Sequence, residues 1–162
     1  MPVARGFLFA CLHCGIKPFK KDLALVVSES PCAAAAALTI NTAKAAPVED
    51  CARRLPSAWV RAVLINSGNA NALTGVDGRL DVVELCAATA RVLEVPPEAV
   101  LMASTGVIGQ RLPKVKMMDA LPRLKAQLKA APESAAEAIL TTDTTMKIAS
   151  RTVRIGRKEG RI

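Results

Sequence analysis

The stretch WVRAVLINSGNANALTG, Trp59 to Gly75, decides the reading of the fold. Its first seven residues, through Ile65, form an apolar run that predicts a buried strand. The next ten hold three asparagines and two glycines. This composition predicts a loop whose side-chain amides bond to their own backbone. From Leu80 to Val95, apolar positions at Val82, Leu85, Cys86, Thr89, Val92 and Leu93 follow the spacing of one helical face. Asp81 is placed near the start of that helix, where a carboxylate suits the positive end. Pro96-Pro97 closes it, and Val100-Leu101-Met102 opens another strand. A second small-residue segment, Ala103-Ser104-Thr105-Gly106-Val107-Ile108-Gly109, follows directly. Strand, helix and strand in this order predict two strands of one sheet, each ending in a small-residue loop. The Ser104–Gly109 loop is either a plain strand-to-helix turn or a cradle of N–H donors for negative charge.

The rest of the chain extends this pattern. Gly6–Leu12 and Asp22–Val27 read as strands, the second closed by a turn at Ser28-Glu29-Ser30-Pro31. Cys32–Ile40 divides between a helix, favoured by five alanines, and a strand, favoured by Leu38-Thr39-Ile40. Val48–Leu55 is weakly helical and ends at Pro56-Ser57. Lys116–Ala130 predicts a helix interrupted near Pro122. Ser134 and Glu137 have the spacing of a capping box, with Ser134 as the cap of a short helix. That helix leads into Thr141-Thr142-Asp143-Thr144-Thr145. Four hydroxyls around one carboxylate either turn the backbone or hold a polar amino-acid substrate, and composition weighs the two evenly.

Composition excludes several classes. The 162 residues fit one domain, and 51% are hydrophobic, which excludes a disordered chain. No apolar run approaches the roughly 18 residues of a membrane span. The N-terminal apolar run Gly6–Leu12 is short, lacks a small-residue cleavage site and is soon followed by Lys17, Lys20, Lys21 and Asp22, so a folded strand in a cytoplasmic protein is expected rather than a signal peptide. Of the net charge of +8, a net +5 lies in residues 147–162, where Lys147, Arg151, Arg154, Arg157, Lys158 and Arg161 face only Glu159. Aromatic residues make only 2% of the chain, leaving few stacking partners for bases. A solvated, partly unpaired tail is therefore expected, not a nucleic-acid module. Cys11, Cys14, Cys32, Cys51 and Cys86 include one close pair around His13, the only histidine. A closed zinc site needs four ligands and no second pair follows, so buried reduced thiols are expected and no metal.

Taken together, HCGIK (His13–Lys17), DLAL (Asp22–Leu25), KAAPV (Lys44–Val48), NSGNANALTG (Asn66–Gly75), STGVIG (Ser104–Gly109) and TTDT (Thr141–Thr144) resemble, in order and spacing, the ornithine acetyltransferases, also called bifunctional glutamate N-acetyltransferases of arginine biosynthesis. The resemblance runs from about Gly6 to Lys147. It implies an α/β fold of sheets layered between helices, of which this chain is an incomplete half. It also implies ping-pong transfer of acetyl from N-acetylornithine to glutamate. Members are made as a precursor that cleaves itself at an Ala–Thr bond, and the freed threonine becomes the nucleophile. By the same resemblance Thr105 and Gly106 form the oxyanion hole, and one of Thr141 or Thr142 holds the amino-acid part of the substrate. No cofactor is implied, with acetyl-CoA entering only as a further acetyl donor.

Against the family's pattern the sequence stops at Arg161-Ile162, before a Lys-Gly-rich segment and a Met-Ala-Thr-Met-Leu cleavage motif. No Ala–Thr bond here has that context, since Ala88-Thr89 lies mid-helix. The expectation is an alpha-chain portion at residues 1–147, then a basic segment at 148–162, with no nucleophile and no turnover alone. A second, beta chain beginning with Thr would complete an alpha2-beta2 assembly. Other readings are a non-catalytic assembly subunit of the same fold, or a related aminopeptidase or antibiotic-pathway acyltransferase.

Overall fold

The computed structural model describes residues 4–162. Its centre is one four-stranded sheet in the order β1-β2-β3-β4: β1 (Phe7–Leu12), β2 (Leu23–Ala34), β3 (Ser57–Asn69) and β4 (Val100–Val107). β2 runs antiparallel to both β1 and β3, and β4 lies parallel to β3. A parallel pair needs a long crossover. Helix α2 (Gly75–Leu93) supplies it, with α1 (Ala46–Arg54) and α3 (Lys114–Ala126) beside it.

Side-chain alternation divides the sheet into two faces. On one face Ala10, Leu12, Leu23, Leu25, Val27, Ala62, Leu64, Val100 and Met102 are buried against Val82, Leu85, Cys86 and Ala90 of α2 and Met117, Leu121 and Leu124 of α3. The opposite face carries a smaller cluster, in which Cys11 and Ala24 meet Ala135 and Ala138 of α4 (Pro132–Ala138). The fold is thus mixed α/β, with helices on both faces of the sheet. Among the described residues no helix is long and apolar enough to cross a membrane.

The core of the expected strand–helix–strand unit is present, but all three long strands outrun their apolar runs. β2 passes through the expected turn at Ser28–Pro31 and reaches Ala34, with its register to β3 broken between Val27 and Cys32. Pro31 lies in that irregular part, where its missing N–H costs the ladder nothing. β3 continues through Asn66–Asn69, and β4 through Ser104–Val107. The two small-residue segments are not turns at strand ends. They pair with each other, Asn66 opposite Ser104, Ser67 opposite Thr105 and Gly68 opposite Gly106. Each supplies the backbone partner that its own composition could not announce.

Three local expectations are also corrected. α3 runs unbroken through Pro122, which sits on the exposed side, where a displaced carbonyl meets water. Ser134 is not the cap of α4: the helix starts two residues earlier at Pro132, whose fixed φ suits a first turn, and the Ser134 hydroxyl donates back to the Ala131 carbonyl at 2.8 Å. Asp81 lies in the second turn of α2, which begins at Gly75, so its partners are side chains and not the helix end. The basic segment is largely exposed, as a solvated tail would be, and within it Thr152–Ile155 (β5) and Lys158–Arg161 (β6) form an antiparallel hairpin. Of Cys32–Ile40, left open between helix and strand, Cys32–Ala34 complete β2 and residues 35–40 form neither.

Candidate active site

Small residues dominate where β3 and β4 meet, and their spacing is set by backbone contact. Gly106 has φ +136°, a conformation L side chains rarely adopt. A Cβ there would fall 2.5 Å from Asn69 N and 2.7 Å from Gly68 Cα, and it would overlap the Gly68 carbonyl carbon. Gly68, at φ +101°, meets Ile16 and the Lys17 stem on its other side, with Lys17 Cγ 3.0 Å from the place of a Cβ. β4 can approach the β3 backbone this closely only because Gly106 carries no side chain.

The asparagines of NSGNAN frame the pair. Asn66, Asn69 and Asn71 are all buried, which demands partners for every amide. Asn66 Nδ2 donates to the Asn69 carbonyl at 2.8 Å, and its Oδ1 accepts the Ser104 hydroxyl at 2.6 Å. Asn69 Oδ1 accepts the Asn71 N–H at 2.8 Å, while its Nδ2 donates to the carbonyls of Gln110 and Arg111, both at 3.1 Å. Asn71 Nδ2 reaches the Gly78 carbonyl, and its Oδ1 accepts from Thr74. Self-bonding amides were legible in the sequence. Their second task, holding both ends of Ser104–Gly109, was not.

Beyond this frame, the Ala70 N–H donates to the Val107 carbonyl and the Gly109 N–H to the Ala72 carbonyl, each at 2.9 Å. Arg111, just past the loop, grips the buried Asp81 through Nε–Oδ2 at 2.7 Å and Nη2–Oδ1 at 2.8 Å, with Lys114 3.0 Å from Oδ1. Burial would raise the Asp81 pKa, but Arg111 and Lys114 outweigh it and hold the carboxyl below the usual range. Thr105 and Gly106 are left exposed on β4, the edge strand of the sheet. An edge strand presents alternate N–H groups with no ladder partner.

A second fixed point lies at the loop before β2. Asp22 has no exposed surface. Its carboxylate accepts backbone N–H bonds from Cys14, Gly15, Ile16 and Lys17 at 2.7, 3.2, 2.7 and 2.9 Å. Burial would raise its pKa, but these donors override it and hold the carboxyl below the ordinary value. His13 Nδ1 lies 2.9 Å from the Lys20 carbonyl and 3.1 Å from Asp22 Oδ2. The half-buried Lys17 donates from Nζ to the carbonyls of Leu140 (2.5 Å), Lys21 (3.2 Å) and Ala138 (3.4 Å). Burial lowers its pKa, and the nearby Asp22 charge opposes that shift.

Thr141 and Thr142 are exposed and irregular, immediately after α4. Among the described residues no hydrogen bond joins either to Thr105 or Gly106. The Asp143 carboxylate is held by Lys147 at 2.5 Å rather than by the hydroxyls around it. What relates the two threonine segments is β3. The buried Ser67 lies opposite Thr105, and its hydroxyl donates to the Ala138 carbonyl, three residues before Thr141. Lys17, Asp22 and Ser67 therefore belong to the site's framework, although sequence reasoning gave them no role. HCGIK and DLAL were visible as motifs; Asp22 bonds the backbone of HCGIK a few residues away, but Lys17 finds its partners at Ala138 and Leu140, more than a hundred residues on. All five cysteines are free, and Cys11 and Cys14 diverge, the first toward α4 and the second toward the main core. Among the described residues no His/Cys/Asp/Glu group is arranged to hold a metal.

Comparison with known proteins bears on this arrangement. Residues 8–162 match the model of the ArgJ family. The chain is 44% identical to the arginine biosynthesis bifunctional protein ArgJ of Thermotoga neapolitana over 162 residues, covering 98% of this chain and 41% of that protein. It is 46% identical to the chloroplastic ArgJ of Populus trichocarpa over 150 residues, covering 89% of this chain and 31% of that protein. The chain thus spans well under half the length of these relatives. Among solved structures, the ArgJ of Bacillus halodurans superposes with a TM-score of 0.92 at 34% identity, covering 98% of this chain and 84% of that one. The ornithine acetyltransferase of Mycobacterium tuberculosis, solved in complex with ornithine, gives a TM-score of 0.83 at 38% identity, covering 88% of this chain and 79% of that one. On motif order, fold and match alike, the chain belongs to the ArgJ family.

Proposed function

We propose that this chain is the oxyanion-binding part of an acetyltransferase that moves acetyl from N-acetylornithine to glutamate. The observation that carries the reading is Thr105-Gly106 on the free edge of β4, held by a buried polar frame while remaining open to solvent. Attack on an acetyl carbonyl places negative charge on its oxygen. Donors fixed beforehand at that position lower the barrier, by about 2.7–4 kcal/mol for each in known cases. The Thr105 hydroxyl and a backbone N–H at Gly106 are the proposed donors. One of Thr141 or Thr142 holds the amino-acid part of the substrate.

The nucleophile in this proposal is a threonine at the start of a second chain. Its hydroxyl adds to the acetyl carbon and its own amine takes the proton. Ornithine leaves with that proton, and the amine of glutamate then attacks the threonine ester to regenerate the hydroxyl. Acetyl-CoA is a further donor, from which the same free threonine would take acetyl while CoA leaves as its thiol and carries the proton away. A difference of length supports two chains. This chain covers 84% and 79% of the two solved chains but only 41% and 31% of the two curated relatives, so the solved chains are themselves much shorter than the whole proteins. Exposed apolar groups at the same end of β4, Val107 and Ile108, give such a partner a surface to cover.

The test is to purify every chain that the native locus supplies, sequence the N-termini and assay transfer of labelled acetyl from N-acetylornithine to glutamate. A Thr-initiated partner and transfer are expected. A stable, partnerless product without transfer would overturn the reading in favour of a non-catalytic assembly subunit.

A further inference from the structure

The Lys17 side chain runs from Gly68 of β3 to the segment that leads into Thr141. Its base is fixed, since the Lys17 N–H donates to the buried Asp22 carboxylate at 2.9 Å. Its stem lies against Gly68, with Cγ 3.0 Å from where a Cβ would stand, and Gly68 is the residue on which Gly106 rests. Its ammonium ends among the carbonyls of Leu140, Lys21 and Ala138. An ammonium has three donors, so this set satisfies it completely. Ala138 is the last residue of α4, where carbonyls lack helical partners and a cation is favourable, and Leu140 lies two residues beyond it. Leu140 directly precedes Thr141. Ser67, opposite Thr105, binds the same Ala138 carbonyl from β3.

We propose that Lys17 is a positioning residue that latches the Thr141–Thr142 segment against the Thr105–Gly106 strand and so sets the distance between the amino-acid site and the reacting carbonyl. This rests on the functional reading given above. The ammonium serves as a point charge shared by carbonyls from separate segments, a task the planar guanidinium of arginine fits poorly. It does not meet the reacting atoms, so its loss should weaken binding more than it slows chemistry.

The experiment compares Lys17→Met, which keeps the stem and removes the donors, with Lys17→Arg, in the enzyme purified with all its chains. For Lys17→Met the KM for N-acetylornithine should rise at least about tenfold, the scale of a lost charged hydrogen bond, while kcat stays within about threefold. Lys17→Arg should recover only part of that loss. A framework role alone would lower Tm without this split, and an unchanged KM in folded Lys17→Met would overturn the proposal. If Lys17→Met does not fold, Lys17→Arg decides: a raised KM supports the latch, and a wild-type KM overturns it. Amide exchange gives a readout that does not need activity. With Lys17→Met, or with Lys17→Arg if only that variant folds, exchange should speed in residues 139–145 and stay unchanged in β3 and β4. A wild-type enzyme without transfer would defeat the functional reading, and amide exchange would still decide the latch. Unchanged exchange in 139–145 would overturn it.

Discussion

Gly106 and Gly68 lie opposite each other across the parallel pair β3–β4, both with positive φ; a Cβ at Gly106 would overlap main-chain atoms, and one at Gly68 would crowd the Ile16 and Lys17 side chains. This contact lets two polar, small-residue segments run side by side as sheet, and it leaves Thr105 on an open edge. Gly106→Ala would combine a strained φ with overlap against main-chain atoms that cannot rotate away. The expected cost is about 3 kcal/mol or more, since backbone strain alone reaches roughly 1–3 kcal/mol. Denaturant unfolding of the variant measures it directly. A loss under about 0.5 kcal/mol, the scatter of surface changes, would refute the close approach.

Asp22 and Asp81 make stability depend on acid. Both are buried, and both have pKa values held below the ordinary carboxylate value, Asp22 by backbone donors and Asp81 by Arg111 and Lys114, in each case against the opposing pull of burial. A depressed folded-state pKa contributes stability that is fully present above the unfolded-state value, about 3.9, and is lost as pH falls through the folded one. Tm should therefore hold at neutral pH and drop as pH falls below about 4. Asp22→Asn should lower stability at pH 7 by about 2–3 kcal/mol, because its amide offers one acceptor oxygen to four N–H groups, and it should flatten the acid limb. An acid limb identical to wild type would show that Asp22 is not a main source of the dependence.

Burial also controls the thiols. It pushes Cys14 up to about 12, with the Asp22 charge adding to the effect, and it pushes Cys86 up to about 12. The thiolate is the reactive form. At pH 8, iodoacetamide should label Cys14 and Cys86 of the folded chain at least about a hundredfold more slowly than in denaturant, as read by peptide mass. Rapid labelling of Cys14 in the folded chain would contradict its packing beside Asp22.

The sequence carried the apolar centres of β2, β3 and β4 and the buried face of α2, because those signals are local and periodic. It did not carry the strand ends. Asn66–Asn69 and Ser104–Val107 have turn-like composition, and only their mutual pairing makes them sheet. One proline and one serine act otherwise than their local pattern suggests. Pro122 does not break a helix whose exposed side absorbs the defect, and Pro132 rather than Ser134 opens α4. Thr105 and Gly106 could be put forward from the motif alone, as the resemblance implies them. Lys17 and Ser67 could not, since the partners that give them a role lie at Ala138 and Leu140, far along the chain.

The central claim is that Thr105 helps hold the negative charge of an attacked acetyl group. Its most direct test is the rate of acetyl transfer from N-acetylornithine to glutamate by Thr105→Ala, measured in the complete enzyme and at wild-type Tm. Losing one oxyanion donor in known cases lowers kcat by about 10²–10³. A fall toward that scale is expected here, with residual transfer because the Gly106 N–H remains. A kcat equal to wild type in a well-folded variant would remove Thr105 from the mechanism.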